Sequence, residues 1–382
     1  MDQLETAWGA RTLARFPDDP RDRLRAWDAA DEYLLRELAE STGPAGPTGT
    51  VAVLGDRWGA LTTSLAAHDP VQISDSFLAR SATRANLARN GAGAPLRLLT
   101  TRDAPPERVD TLLIRVPKSL ALLEDQLHRL APALHPGTRV LGTGMVKEIH
   151  TSTLRLFEQI IGPTRTSLAV KKARLIHCTP EDLERPPNPW PLTYDLPAGI
   201  GIASGRTVVN HAGIFCADRL DIGTRFFLQH LPRGGYARIA DLGCGNGVVG
   251  LAAALAHPGA EILLVDESFQ AVASAEATFR ANDLPAKAGF QAADALTEVA
   301  PGSFDLILSN PPFHSHQATT DATAWRMFTG AHKALRPGGE LWIVGNRHLG
   351  YHVKLRRIFG DCATVAGNPK FVVLRAVKHA GR

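Results

Sequence analysis

The stretch RIADLGCGNGVVGLAAALAH, Arg238 to His257, runs from a short apolar segment through a glycine-rich loop into a longer apolar segment of helical character. Glycine is wanted where the backbone must take positive φ or approach a ligand closely, so the loop reads as a tight turn between a strand and a helix. The residues that follow repeat this alternation. EILLVDESFQAVASAEATFRAN (261–282), SFDLILSNPPF (303–313) and HKALRPGGELWIVGN (332–346) again set short apolar strands beside amphipathic helical stretches. That order signals a parallel sheet with crossover helices.

The same order recurs upstream. TVAVLGDRWGALTTSLAAH (50–68), VQISDSFLARSATRANLARN (71–90), VDTLLIRVPK (109–118) and HRLAPALHPGTRVLGTG (128–144) match the later pieces one by one. DSFLARSATRANLARN from Asp75 echoes DESFQAVASAEATFRAN from Asp266, which makes Asp75 the apparent counterpart of Asp266. Each half closes on an expected antiparallel pair, TRTSLAVKKARLIHC (164–178) and ATVAGNPKFVVLRAVK (363–378). The expected architecture is α/β, with two tandem Rossmann-like domains that arose by duplication. DLGCGNG in the second copy faces VLGDRWG in the first, and SNPPF faces IRVPK. The N-terminal copy thus reads as degenerate: it keeps the pattern of the fold and lacks the site. The proline-rich ERPPNPWPLTYDLPAG (184–199) suits a linker, giving a first domain at 1–183, a linker at 184–200 and a second domain at 201–382.

A chain of 382 residues exceeds one typical core, and 44% hydrophobic with 21% charged residues is ordinary for globular protein. The start, MDQLETAWGARTLARFP, has no apolar core of signal-peptide length, and no apolar run approaches the ~20 residues that span a bilayer. The four cysteines, Cys178, Cys216, Cys244 and Cys362, form no CxxC pair, which argues against a disulfide framework or a structural zinc site. A cytoplasmic protein without metal or membrane partner is expected. The net charge of +4 permits a nucleic-acid partner without demanding one.

Gly245 to Gly250, GNGVVG, also matches the dinucleotide fingerprint, so NAD is one reading, with Asp266 placed to take ribose hydroxyls. Asp241 weighs against it, because an acid in the loop repels a pyrophosphate and attracts the ammonium of a cationic amino-acid ligand. Asp241, Gly243, Gly245 and Gly247, as D-x-G-x-G-x-G, resemble the first motif of S-adenosyl-L-methionine-dependent methyltransferases. That resemblance implies this cofactor and the class I methyltransferase form of the fold. It also implies that Asp294, in QAADAL, accepts from the adenine amino group.

SNPPFH, Ser309 to His314, ends the fourth strand of the second copy, on the rim where open α/β sheets place ligands. Proline stops the strand, and the residue before it is held extended. An exocyclic amine is a poor nucleophile because its lone pair is delocalised. Two acceptors, the Asn310 side-chain oxygen and the Pro311 carbonyl, can grip its N–H bonds and relieve the charge that develops on attack. Pro311 and Pro312 fix the carbonyl directions, and Phe313 offers a face for a planar base, worth ~1–3 kcal/mol. The tetrapeptide resembles the (N/D)PP(Y/F) motif of methyltransferases acting on adenine N6, guanine N2 or glutamine amides. The motif leaves the acceptor open.

Essentially the whole chain resembles the bacterial ribosomal RNA large-subunit methyltransferase G family, sister to the small-subunit methyltransferase C family. AWDAADEYLL (26–35) and EIHTSTLRLFEQIIGPTRTSLAVKKARLI (148–176) point to the former. RLDIGTRFFLQHLP (219–232), DLGCGNGVVGL, VDESFQAVASA, SNPPFHSHQATTDATAWRMF and GNRHLGYHVKLRRIFG (345–360) are shared by both. The resemblance implies methylation of a guanine N2 amine in 23S rRNA, naked or partly assembled, by a monomer. It places Phe215, Asp221, Gly223 and Thr224 beside the methionine end of the cofactor, with His314 and Trp325 as candidates to cover the base. A guanine in 16S rRNA, adenine N6 and a protein glutamine amide are alternative acceptors, and a non-enzymatic RNA-binding assembly factor is a rival of another class. For RNA contact the basic candidates are Lys171, Lys172 and Arg174, with Arg347, Lys354, Arg356 and Arg357, in runs that otherwise read as solvated faces. The degenerate first domain is expected to clamp RNA or to act as a scaffold.

Overall fold

The structure, a computed structural model, describes residues 2–18, 22–91, 96–284, 287–312 and 317–381. It divides into two units, Met1–Pro189 and Trp190–Arg382. In the second unit seven strands lie in the spatial order Ala288–Ala292, Glu261–Asp266, Arg238–Leu242, Phe304–Ser309, Leu335–Asn346, Phe371–Val377, Ala363–Gly367. The first five are mutually parallel, and the sixth, Phe371–Val377, runs antiparallel to both of its neighbours. The first unit repeats the order with Leu98–Thr100, Val71–Ser74, Val51–Leu54, Thr111–Arg115, Arg139–Met145, Ala173–Cys178, Thr164–Thr166. Successive strand residues face opposite cores, as a sheet covered on both faces requires. Ile239 and Leu306 pack with Leu251 and Phe279, while their neighbours Ala240 and Ile307 pack with Phe328 and Leu355.

Each unit opens with a hairpin that the sequence did not announce, Asp2–Leu4 with Arg11–Leu13 and Leu192–Asp195 with Thr207–Asn210. The second hairpin begins within the segment expected to be a linker, and the boundary between units falls at Pro189. Both hairpins are pinned the same way. Asn90, at the end of helix Phe77–Arg89, exchanges hydrogen bonds of 2.9 and 2.8 Å with the Thr12 backbone, and Asn282, ending helix Phe269–Ala281, does so with Thr207 at 3.2 and 2.7 Å.

Strand register fixes which residues correspond. Leu54 pairs with Ile73 as Leu242 pairs with Val265, so Ser74 stands at the place of Asp266 and Asp75 at that of Glu267. The pairing of Asp75 with Asp266 is therefore corrected by one position. Position by position VLGDRWG has no acid where DLGCGNG has Asp241, yet an acid does the same work in both loops. Helices Val248–Ala256 and Ala60–Ser64 both start after a left-handed glycine that supplies no side-chain cap, leaving their first amides without acceptors. In the second unit Asp241 Oδ2 accepts from Gly250 N at 2.7 Å. Val53 occupies that place in the first unit, yet Asp56 Oδ2 accepts from Thr62 N and Oγ1, both at 2.8 Å. The cap was moved along the loop and kept.

At the end of strand Thr111–Arg115, where the second unit has Asn310, Arg115 is fully buried. It pairs with Asp28 at 2.7 Å, Glu148 at 3.0 Å and Asp31 at 3.4 Å. Arg57, at the place of Gly245, adds contacts to Glu148 at 2.9 Å and Asp28 at 3.5 Å. Burial pushes Asp31 up to about 7. Burial opposes ionisation of Glu148 as well, but Arg115 and Arg57 hold it down to about 2.

Arg115→Met strands these carboxylates without their buried partner and should cost about 3–5 kcal/mol, read by denaturant unfolding. A loss under about 1 kcal/mol, the range of an exposed pair, would show that the cluster carries no such weight. Burial also raises Asp241 from 3.8 to about 7. Its folded value exceeds the unfolded one, so across that window the native state holds the extra proton and stability falls as pH rises. Asp241→Asn keeps an oxygen for Gly250 N and should flatten that fall, giving a variant more stable than the parent above pH 7.

Candidate active site

The carboxyl ends of strands Glu261–Asp266, Arg238–Leu242 and Phe304–Ser309 lie side by side, with the glycine loop leaving the middle one. The loop is anchored from the neighbouring strand. Gly243 N and Cys244 N donate to Val265 O at 2.8 and 3.0 Å, and Gly245 N donates to Asp266 Oδ2 at 2.9 Å. Gly243, Gly245 and Gly247 all sit in the left-handed region, φ 75°, 52° and 78°. At Gly247 a Cβ would come 2.9 Å from Ala275, so the helix behind admits only glycine. At Gly245 a Cβ would meet nothing within 4 Å. Crowding explains Gly247, and free space above the backbone explains Gly245 as a point of approach.

Asp266 serves the loop first. Its Oδ1 accepts from Ser268 N at 3.0 Å, and burial raises its carboxyl above the usual range. Asp241 is 1% exposed with one oxygen committed to Gly250, so its carboxylate stands under the loop. Asp294 follows strand Ala288–Ala292, next to Ala293, whose N donates to Asp266 O at 2.9 Å. Burial raises its carboxyl, and it pairs with Arg326 at 3.5 Å, a partner the sequence reading did not foresee.

Ser309 Oγ donates to Leu242 O at 2.6 Å, tying the end of one strand to the start of the glycine loop. Asn310 follows. Its Nδ2 donates to Thr224 Oγ1 at 2.9 Å, and its Oδ1 is buried with no partner among the described residues. Pro311 is buried and Pro312 exposed. Phe313 and His314 lie outside the described residues. Asp221 caps helix Ile222–Leu228, accepting from Thr224 N at 2.8 Å and Thr224 Oγ1 at 3.2 Å. Gly223 is buried beside them, and Phe215 is 55% exposed in the preceding turn. The loop, Asp266, Asp294, Asn310, Asp221 and Thr224 are thus gathered by adjacent strand ends and one capped helix.

Other features were missed or differ. Asn246, between Gly245 and Gly247, donates to Asn210 Oδ1 at 2.9 Å and hydrogen-bonds Tyr194, whose phenol burial pushes up to about 12. The hairpin thereby braces the glycine loop, and no local pattern announced it. Trp325, a candidate to cover the base, is 36% exposed with the Arg357 guanidinium 5.2 Å over its ring. Lys171 and Lys172 form the turn of an exposed hairpin at φ 48° and 64°, with Lys171 3.2 Å from Glu32, and Arg174 is partly buried beside them. Arg347 Nε donates to Asn368 O at 2.6 Å. Helix Tyr351–Phe359 buries Tyr351, Leu355 and Phe359 and exposes Arg356 and Arg357, with Lys354 half-buried.

Two family models match the chain, the RLMG N-terminal domain over residues 1–182 and the methyltransferase small domain over residues 205–375. A protein of Streptomyces coelicolor named ribosomal RNA large subunit methyltransferase G is 70% identical over 378 residues, 98% of this chain and 100% of that protein. One of the same name from Stutzerimonas stutzeri is 49% identical over 381 residues, 99% and 100% of the two chains. Among solved structures, a T. thermophilus 16S rRNA N2 methyltransferase in complex with AdoMet and guanosine superposes with a TM-score of 0.75 over 99% of this chain and 98% of that one. At 24% identity the likeness is one of fold. With strand order, glycine loop and Asn310 corner described, and with relatives matched end to end, the chain belongs to the ribosomal RNA large subunit methyltransferase G family.

Proposed function

We propose that the second unit methylates the exocyclic N2 amine of a guanine in 23S rRNA, with S-adenosyl-L-methionine as methyl donor. The observation that carries this is the Asn310 oxygen, buried and without a partner among the described residues, beside an anchored glycine loop. A buried acceptor left unpaired costs on the order of 1–3 kcal/mol, so it is retained where a ligand completes it. The free space at Gly245 and the acids Asp241, Asp266 and Asp294 fit a cationic amino-acid nucleoside, Asp266 for ribose, Asp294 for the adenine amine and Asp241 for the ammonium.

The bound cofactor supplies a methyl carbon already activated by its sulfonium. The protein's part is alignment and charge relief. Asn310 Oδ1 and the Pro311 carbonyl accept from the two N–H groups, holding the amine's nitrogen toward the donor. As the nitrogen gains its bond to carbon, positive charge grows on those N–H groups and both acceptors strengthen their hold. Neither acceptor takes a proton; it leaves to water once the new bond is made. Phe215, Gly223, Pro312, Phe313 and Trp325 border this site in the same reading, and the relatives' printed names supply the large-subunit RNA.

The first unit is proposed as the RNA-binding or scaffold part. Arg57, Ser74 and Arg115 stand where the second unit has Gly245, Asp266 and Asn310, and both arginines are engaged there in ion pairs. Lys171, Lys172 and Arg174 offer phosphate contacts there, as Arg347 does in the second unit.

Mass spectrometry of rRNA nucleosides from a strain lacking the protein tests the whole reading. Expected is loss of one N2-methylguanine in 23S rRNA, restored on deproteinised RNA by purified enzyme and labelled donor. Methyl found on adenine, on 16S rRNA or on a glutamine would redirect the acceptor, and failure to bind donor would favour an assembly factor. Asn310→Ala should lower kcat by about 100-fold or more with donor affinity intact, whereas Asp266→Ala should weaken donor binding measured by calorimetry. Lys171→Glu with Lys172→Glu should raise KM for RNA and lessen its salt dependence, leaving donor affinity alone.

A further inference from the structure

Asn310 can grip an amine only if its oxygen, and not its NH2 group, faces the substrate. A flipped amide would point donors at donors. We propose that Thr224, itself oriented by Asp221, is the positioning residue that sets this amide; the inference rests on the role given to Asn310 above.

The order of donors runs one way. A carboxylate cannot donate, so at Asp221 Oδ2 the proton of the 3.2 Å contact comes from Thr224 Oγ1. With its proton committed, Oγ1 presents lone pairs to Asn310, 2.9 Å away, and only the amide nitrogen can meet them. Oδ1 is then turned to the other side, where it is buried and unpartnered among the described residues. The cap geometry leaves little slack. A Cβ on Gly223 would stand 3.0 Å from both Asp221 Oδ2 and Phe371 Cε1, so a larger residue would press on the relay. The first unit gives an independent comparison. There the corresponding positions hold Asp28, Asp31 and Arg115, a cation between acids in which no amide needs orienting. This role differs from the cofactor contact expected of Asp221 and Thr224 from sequence.

The test is a set of variants assayed by single-turnover and steady-state methyl transfer to deproteinised 23S rRNA. Thr224→Val keeps the shape and removes the lone pairs. Its kcat should fall about 10- to 100-fold with KM for RNA and donor affinity unchanged, and Thr224→Ser should restore most of it. In an Asn310→Asp background there is no amide to orient, so Thr224→Val should cost little further turnover. Equal loss from Thr224→Val in both backgrounds, or full activity of Thr224→Val alone, overturns the relay. If Asn310→Asp is silent, the Val and Ser variants decide between them. Full turnover by Asn310→Ala would instead overturn the role of Asn310 itself, whatever Thr224 does.

Discussion

A helix that starts straight after a strand, through glycines of positive φ, has no side chain of its own to receive its first amides. Both units meet that constraint with one buried carboxylate, Asp241 in the second and Asp56 in the first. The carboxylate must sit beneath the loop, and so the backbone above it is what faces outward. In the second unit that outward backbone is the bare Gly245, steadied by Asp266 from the adjacent strand and by Asn246 through the hairpin. Loop, strand ends and hairpin are therefore one assembly whose geometry follows from where a single cap is placed.

Once the cap is satisfied, the strand ends are free to diverge. In the first unit arginines and carboxylates have met there, and a fully buried guanidinium is compensated by acids from an N-cap, a helix and a loop. In the second the same positions carry an amide, a hydroxyl and a carboxylate joined by directional hydrogen bonds, with the Asn310 oxygen left unpaired among the described residues. An ion cluster tolerates several arrangements of its charges, whereas the amide relay has one sense. The contact between hairpin and loop diverged in parallel, from Arg15 stacked 4.3 Å over Trp58 to Asn210 paired with Asn246.

Much of this was legible in the sequence because it is local. Apolar runs of strand length, helical spacing, glycines at 243, 245 and 247 and the strand-stopping prolines act over a few residues, and they located the parallel sheet with its crossover helices, the loop and the Asn310 corner. The hairpins were hidden because Asp2–Leu4 and Leu192–Asp195 are too short to show alternation, and their partner strands are held by Asn90, 78 residues from Thr12, and by Asn282, 75 residues from Thr207. The slip between Asp75 and Ser74 arose from matching the first acid of DSF to the first acid of DESF, whereas the shared caps Ser76 and Ser268 and the pairing across the sheet both put Asp75 on Glu267. Asp56 looked like a lost acid because a cap is recognised by distance to an amide, and not by its place in a motif. Arg326 beside Asp294 belongs to a distant helix and has no local signature.

The asparagine that ends each second helix has a consequence for synthesis. It binds the hairpin at the front of its own unit, and every strand pairing of the first unit likewise lies within it. When the ribosome has released the chain as far as Pro189, that unit holds all of its strand-pairing partners and can close while the rest is still being made. Two near-identical patterns on one polypeptide invite strands to pair with the wrong copy. Completing one before the other emerges removes that opportunity.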